Sequence, residues 1–304
     1  MPLSLIIISY NTCELMRNCL NSLRAHPPSC EHTITVVDNA SADDTVAMIR
    51  RDFPDVTVIA NEENVGYAAA INQGLRLDDS GDVLILNSDI EARPGTIGRL
   101  RECLAANPDA GMCAPQLILP DGRPQPTWEH GFTLGQFARQ QLMLDKLPRG
   151  AGHPGPPDAL QPRAVEHLDG AALLVRREAI AAVGLMDEGY WMYCEDSDWE
   201  LRFRRAGWKL LYVPEATMLH HHGASSRQCR AEMIASYNRA AARYFRLHEG
   251  ALAGAAARVL GLTGTSLRLF GAALASVVTL GLVRPVARKA ALFLRALDLQ
   301  VRRR

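Results

Sequence analysis

In the first third of the chain, short apolar runs rich in β-branched residues alternate with helical stretches, and each run ends on Asp, Asn or Ser. Strands are predicted over Leu3–Ser9, Thr33–Asp38, Val56–Ala60 and Asp82–Asn87, and helices over Cys13–Ala25, Ala42–Arg51 and Tyr67–Leu77. Near-continuous apolar strands separated by helices of about 10 residues indicate βαβ units and a parallel sheet covered on both faces. Ligands of such sheets bind at the carboxyl ends of the strands. The polar residues fall there: Ser9-Tyr10-Asn11, Asp38-Asn39-Ala40-Ser41, Asn61 and Asn64, and Asn87-Ser88-Asp89. Singly, such residues are turn or capping residues, as Ser41 is expected to be ahead of the helix Ala42–Arg51. Together they form a cleft suited to a nucleotide. No G-x-G-x-x-G and no G-x-x-x-x-G-K-[ST] occurs, so phosphate charge has to be met another way, with a metal ion the leading means.

A second feature is the run Glu195-Asp196-Ser197-Asp198, flanked by Tyr190-Trp191-Met192-Tyr193-Cys194 and Trp199. Three carboxylates within four residues repel one another, and apolar neighbours raise carboxyl pKa values, which suits a general base or a metal site. The plainer reading is an acidic first turn of the helix Asp196–Ala206, where negative charge complements the helix dipole. Between them, Pro115 to Arg163 is dense in Pro and Gly around a helical interlude, Leu134–Leu147, the composition of a substrate-shaping loop or insertion. Order resumes over Val165–Arg176, and a strand is predicted over Lys209–Val213.

Formal net charge is zero, but residues 251–304 carry nine Lys/Arg against Asp298 alone, so this tail is +8 and the rest is −8. A basic tail on an acidic body points to a membrane surface or a polyanion, and no nucleic-acid partner is implied. Its uncharged stretch Leu269–Val283 has 15 residues, short of the roughly 20 that cross a bilayer. An in-plane basic amphipathic anchor is expected, against a helical pair packed on the body or an oligomer contact. Seven cysteines, odd in number and without a CxxC pair, indicate reduced thiols in a cytosolic setting. The N-terminus reads as a buried strand rather than a signal peptide.

Taken in order, eight pieces resemble the family-2 glycosyltransferases of the GT-A fold, particularly the bacterial rhamnosyltransferase-like branch. They are Ile6-Ile7-Ile8-Ser9-Tyr10-Asn11, Val36-Val37-Asp38-Asn39-Ala40-Ser41, Asn61-Glu62-Glu63-Asn64-Val65-Gly66-Tyr67 and Leu86-Asn87-Ser88-Asp89. After these come Gly170-Ala171-Ala172-Leu173-Leu174-Val175-Arg176-Arg177, Tyr193-Cys194-Glu195-Asp196-Ser197-Asp198, Arg204-Arg205-Ala206-Gly207-Trp208, and Tyr212-Val213-Pro214-Glu215-Ala216 running into His220. The match covers about residues 3–248.

The resemblance implies an α/β, Rossmann-like fold with a mainly parallel sheet and helices on both faces, plus the basic C-terminal helical tail. Residues 1–250 would form the transferase domain, with a donor half to about 115 and an acceptor and catalytic half to 250, and 251–304 the membrane-associating tail. It implies inverting transfer of a sugar from a nucleoside diphosphate, dTDP or UDP, to a hydroxyl. The acceptor would be a lipid-linked or cell-surface glycan, and the place the inner face of the cell membrane. Rhamnose is the sugar that the branch suggests. Processive synthases of this fold add several membrane spans and a Gln-x-x-Arg-Trp element, neither of which is present here, so transfer is expected to be non-processive.

Within this resemblance, Ser9, Asn11, Asp38, Asn61, Asn64, Gly66, Asn87 and Asp89 are the donor-binding positions. Asp196 is the general base, and Asp89 with His220 binds Mn2+ or Mg2+. An inverting displacement requires one base within hydrogen-bond reach of the acceptor hydroxyl, and a cation stabilises the departing diphosphate. Asp169, Gly170, Trp191, Glu195 and Asp198 are support or acceptor positions, and Arg202 and Arg204 are partners for the local negative charge. Asn87-Ser88-Asp89 has one carboxylate where the family has Asp-x-Asp, so the metal is expected to arrive with the donor. Side chains alternate along a strand, so His220, His221 and His222 cannot all face one ion, and His222 is the alternative to His220. Two other readings are a nucleotidyltransferase, which would want a Gly-rich basic loop after the first strand, and a degenerate sugar-nucleotide-binding or scaffold protein of a membrane glycan assembly complex.

Overall fold

The computed structural model describes residues 1–129, 131–144, 161–221, 229–278 and 284–302. In chain order the elements are β1 (Leu3–Ser9), α1 (Cys13–Ala25), β2 (His32–Asp38), α2 (Thr45–Asp52), β3 (Thr57–Ala60), α3 (Tyr67–Leu77), β4 (Asp82–Asn87) and β5 (Ile90–Ala92). Next come α4 (Thr96–Ala106), β6 (Ala110–Ile118), β7 (Trp128–Glu129), α5 (Leu134–Gln141), β8 (Arg163–Val165), β9 (His167–Leu168) and β10 (Ala172–Val175). The rest are α6 (Arg177–Val183), α7 (Glu195–Arg205), β11 (Lys209–His220), α8 (Arg230–His248), α9 (Ala251–Val278) and α10 (Arg284–Val301). They divide into an α/β unit and a helical unit; the helical unit takes α5, the segment 190–194, and α8 to α10.

The α/β unit is one mixed sheet in the order β3-β2-β1-β4-β10-β6-β11-β5, with β8 paired to β11. The first four strands of that order are parallel, and β10 runs against both β4 and β6. Alternation along β1 divides its side chains: Leu3, Leu5 and Ile7 join Met16, Leu20, Met48, Phe53 and Leu100 from α1, α2 and α4. Ile6 and Ile8 join Ile71, Leu75, Ile180, Trp199 and Phe203 on the other face, from α3, α6 and α7. Two apolar faces are why these strands are continuous hydrophobic runs and why polar residues collect beyond their ends. None of the seven cysteines is disulfide-bonded.

Two expectations are corrected. Ser41 is not the cap of α2, which starts at Thr45; the Ser41 hydroxyl donates to Asp38 instead. Nor does the last strand stop at Val213. β11 continues to His220 across a register shift between Val213 and Thr217 against β6. Pro214 falls inside that irregularity, where a residue with no N–H costs no ladder hydrogen bond. The helical interlude runs over Leu134–Gln141, and residues 145–147 lie outside the described residues.

In the helical unit, α9 packs through small residues. A Cβ on Gly254 would lie 2.5 Å from Arg246 Cβ, and one on Gly264 would lie 2.8 Å from the Gln141 carbonyl oxygen. Asn238 of α8 donates to Gly261 O, Thr265 Oγ1 and Gln300 Oε1 at 3.0–3.2 Å, tying α8, α9 and α10 together. Phe132, Phe137, Tyr237, Tyr244 and Phe245 form an aromatic cluster with centroids 4.9–6.3 Å apart. The outer side of α9 stays apolar and exposed at Leu252, Val259, Phe270, Leu274 and Val277. By length and composition alone, α9 is long and apolar enough to cross a membrane.

Gly111 of β6 admits α7 to the sheet, because a Cβ there would lie 2.6 Å from Phe203 Cδ1 and 2.9 Å from Trp208 Cβ. Gly111→Ala should therefore cost about 1–3 kcal/mol of stability, read as a lower urea midpoint with unchanged m-value; an unchanged midpoint would contradict this packing.

Candidate functional site

The carboxyl ends of β1, β2 and β3 are joined by polar side chains. Both Asp38 oxygens accept from Ser41, from its N–H at 2.8 Å and its hydroxyl at 2.6 Å, and the residue is 1% exposed. Ser41 Oγ in turn accepts from Asn11 N–H at 2.8 Å, and Asn11 Oδ1 from Ala42 N–H at 2.7 Å. Asn11 and Ala40 hold left-handed backbone (φ 50° and 64°), the strain by which two strand ends turn toward each other. Ser9 reaches across through Thr12, whose hydroxyl donates to Ser88 at 2.8 Å. Asn61 bonds Asn39 and exchanges two amide bonds with Gln73, while Asn39 donates to Gly66 O. Asn64 Oδ1 accepts from Gly66 N–H at 3.0 Å, and Gly66, with φ 89°, opens α3.

Tyr67, the first residue of α3, was not picked out by its residue type. Its hydroxyl lies 2.8 Å from Asn87 Oδ1 and 3.2 Å from Gly170 O, bridging the end of β4 to the turn before β10. Burial pushes its pKa well up, and the carboxylates Glu195, Asp196, Asp169 and Asp89 push it further. The hydroxyl therefore stays protonated and donates. One acidic neighbourhood thus gathers residues separated by more than a hundred positions in the chain.

Asp196 lies in the first turn of α7. A Cβ on Gly170 would lie 2.9 Å from Asp196 Oδ2, so position 170 must be glycine for the carboxylate to sit where it does. Asp196 Oδ1 accepts from Ser197 N–H at 2.7 Å. The helix beneath is anchored three ways: Trp199 Nε1 donates to Gly184 O, Glu200 pairs with His167 and Leu168 N–H, and Arg202 joins Asp198 to the last carbonyls of α6. Asp198 is thus a support for α7, and Arg204 lies 3.9 Å from Glu166. Glu195 is 4% exposed, and its Oε2 has no hydrogen-bond partner among the described residues. Burial, then the charge of Asp196, push its pKa well above the usual carboxyl range.

The 190–194 segment ahead of α7 belongs to the helical unit. There Trp191 is exposed, Tyr193 meets Tyr237 edge-on at 5.8 Å, and Arg243 lies over the Tyr190 ring. Tyr193 and Cys194 both hold left-handed backbone, a pair of strained residues immediately before the acidic turn.

The extension of β11 places His220 opposite Ile90 of β5, one residue beyond Asp89, and His221 N–H donates to Asp89 O. His220 Nε2 lies 3.4 Å from Asp89 Oδ1. His220 Nδ1 lies 2.8 Å from Gln125 Oε1, and His221 pairs with Glu91 instead. His222 lies outside the described residues. No group of three or more His, Cys, Asp or Glu side chains suited to a metal occurs among the described residues. The two buried groups fit a cation that draws its remaining ligands from a substrate, a carboxylate oxygen and an imidazole nitrogen being suitable donors for Mn2+.

Residues 4–165 match the model of glycosyl transferase family 2. The chain is 31% identical over 221 residues to an N-acetylglucosaminyl-diphospho-decaprenol L-rhamnosyltransferase of Mycobacterium tuberculosis, covering 68% of this chain and 72% of that protein. A low-salt glycan biosynthesis hexosyltransferase, Agl10, of Haloferax volcanii is 27% identical over 210 residues, 67% of this chain and 62% of its own length. Among solved structures, the mannosyltransferase PcManGT from Pyrobaculum calidifontis, in complex with GDP-Man and Mn2+, has a TM-score of 0.56 at 18% identity, over 98% of this chain and 86% of that one. GalNAc-T7 with UDP, GalNAc and Mn2+ has a TM-score of 0.59 at 16% identity, over 79% and 47%. The structural likeness establishes the GT-A fold. The matched segment spans more than half of the chain and contains the strand ends that build the polar edge, so the chain belongs to glycosyl transferase family 2.

Proposed function

We propose that this glycosyltransferase is inverting and non-processive, and moves a hexose from a nucleoside diphosphate to a hydroxyl of a lipid-linked or cell-surface glycan. The observation that carries this reading is the meeting of Asp196 with the Asn87–Asp89 edge, through Gly170 and Tyr67. Rhamnose carried by dTDP is the favoured donor, because the mycobacterial relative is an L-rhamnosyltransferase acting on a decaprenol-linked acceptor.

In this reading the polar edge divides by role. The Asp38–Ser41 turn, with Ser9, Asn11, Asn61, Asn64 and Gly66, shapes the nucleoside end of the donor site. Asn87 and Asp89 face the diphosphate. Asp196 takes the proton of the acceptor hydroxyl as that oxygen attacks the anomeric carbon from the face opposite the leaving group. Asp89 and His220 would hold a divalent cation, which when bound supplies charge stabilisation for the leaving diphosphate. The like fold of two proteins crystallised with Mn2+ supports that choice. Asp169 and Gly170 position the base through the turn before β10, and Trp191 is retained as an acceptor position on its residue type. Glu195, kept neutral beside Asp196, adds a buried carboxyl without a second charge.

Residues 251–304 provide the place of action. The exposed apolar side of α9 and the exposed Arg284, Arg288 and Lys289 of α10 suit a surface of anionic lipid, which fits peripheral attachment at the inner face of the cell membrane.

Outcomes are expected on three fronts, catalysis first. Asp196→Asn should abolish turnover while a thermal-shift panel of dTDP-rhamnose, UDP-sugars and GDP-mannose with Mn2+ retains its binding partner; undiminished turnover would remove Asp196 as the base. Gly170→Ala should lower turnover by about 10²-fold through displacement of that carboxylate, with little change in melting temperature, since a side-chain end can yield.

The second concerns pH. The folded state holds the Glu195 proton above the pH at which the unfolded chain releases it, so stability falls as pH rises past the ordinary carboxyl range toward the raised folded value. Glu195→Gln should abolish that loss, so that its urea midpoint declines less than the wild type's between pH 5 and pH 8. An equal decline in the two proteins would mean that the fold does not hold the Glu195 proton. Third, Arg288→Gln with Lys289→Gln should weaken binding to phosphatidylglycerol vesicles about 30-fold at low salt, at about 1 kcal/mol per charge, and leave any binding to phosphatidylcholine unchanged. Equal affinity of wild type and double variant for both lipids would sink the electrostatic attachment.

A further inference from the structure

We propose that Gln125 is a positioning residue: it sets which nitrogen of His220 carries the hydrogen, and it links the Asp89–His220 pair to Asp169 and the turn that carries Gly170. This rests on the reading of Asp89 and His220 as the cation-holding corner.

The backbone of Gln125 is pinned first. After the turn closed by Gly122, its N–H donates to Leu117 O at 2.9 Å and its carbonyl accepts from Gln116 Nε2 at 2.7 Å. Gln116 is itself held by the Tyr212 hydroxyl at 2.6 Å. The side chain is then oriented by chemistry. Gln125 Nε2 lies 2.7 Å from Asp169 Oδ2, and a carboxylate oxygen accepts hydrogen bonds, so the amide must turn its NH2 toward Asp169. That leaves Oε1 toward His220 Nδ1, at 2.8 Å. A carbonyl oxygen cannot donate, so Nδ1 carries the hydrogen, and in the neutral ring Nε2 is the acceptor.

The consequence falls on the other side of the ring. Nε2 then presents a lone pair 3.4 Å from Asp89 Oδ1, which is also an acceptor. In the proposed cation corner that lone pair is the ring's metal donor, the arrangement in which an outer partner fixes a metal-binding histidine. Asp169 is also spent on the turn, its Oδ1 accepting from Ala171 N–H at 3.0 Å. Thus Asp89, His220, Gln125 and Asp169 form one chain of contacts, which ends one residue before the glycine against which Asp196 rests. At 7% exposed, Gln125 otherwise reads as an amide filling a buried slot. In that case its loss would lower stability and leave the His220 tautomer alone.

The test uses the full chain, with Gln125→Met, which keeps length and loses the amide, and Asp169→Asn, which lets the amide reverse. Mn2+ is titrated alone and with UDP or dTDP, free Mn2+ being read by electron paramagnetic resonance. The His220 tautomer is read in metal-free protein from 15N-histidine spectra, assigned with His220→Ala. Expected are an Nδ1–H tautomer in the wild type, its loss in both variants, and Mn2+ affinity lower by about 10–100-fold. An Nε2–H tautomer in the wild type overturns the inference, as does a folded Gln125→Met protein with unchanged tautomer and Mn2+ affinity. If His220→Ala binds Mn2+ as the wild type does, the cation reading fails, and the tautomer spectra still decide the role of Gln125.

Discussion

Burial of both faces of the sheet is the constraint on which the rest depends. With Leu3, Leu5 and Ile7 packed on one side and Ile6 and Ile8 on the other, β1 leaves little room for polar side chains before its end, Ser4 being buried near its start and bonded to Asp78. Polar groups are therefore driven to the strand ends, where backbone amides and carbonyls also leave the ladder. Because β3, β2, β1 and β4 are parallel, four such ends meet at one edge. The strained turns at Asn11 and Ala40 are tolerated because Asp38, Ser41 and Ala42 hold them from both sides.

The second half of the site comes from strands that break the parallel pattern. β10 runs against β4, which carries Asp169 and Gly170 to the level of Asn87, and the Asn87 N–H bonds Ala171 O. β11 would end short of the site without its irregularity after Val213; with it, the strand continues far enough to pair with β5 and set His220 beside Asp89. Asp196 stands apart from both strands, at the start of a helix locked by Trp199, Glu200 and Arg202. Asp196 and the Asp89–His220 pair are thus held by separate elements, with Tyr67 reaching from Gly170 to Asn87 and Gln125 from Asp169 to His220.

How much of this is legible in the amino-acid order varies with the range of the interaction involved. β1, α1, α3 and β4 begin and end at the expected residues, because apolar period and flanking polar residues are local signals. Ser41 shows the limit of such signals: ahead of a helix a serine is locally a cap, whereas here its hydroxyl turns back to Asp38, three residues earlier, and α2 starts only at Thr45. The end of β11 was missed because Pro214 locally ends a strand, while the bulge that absorbs it depends on β6. Asp196, Asp89 and His220 carried motif signals. Tyr67 lies in a motif piece without a role of its own there and Gln125 in none, since their roles consist in contacts with Gly170 and Asp169 far along the chain.

By itself, then, the order of residues determined the alternation of strands and helices, the polar edge, the acidic turn and the basic, apolar tail, all set by neighbours within a few positions. Tertiary structure alone decided that Gly170 sits against Asp196, that His220 rather than His221 faces Asp89, and that the amide of Gln125 meets the ring. The physical reason is directionality. Burial needs only the right kind of residue on the right face, whereas a hydrogen bond or a tautomer needs a particular atom within about 3 Å, in a direction that only the assembled chain supplies.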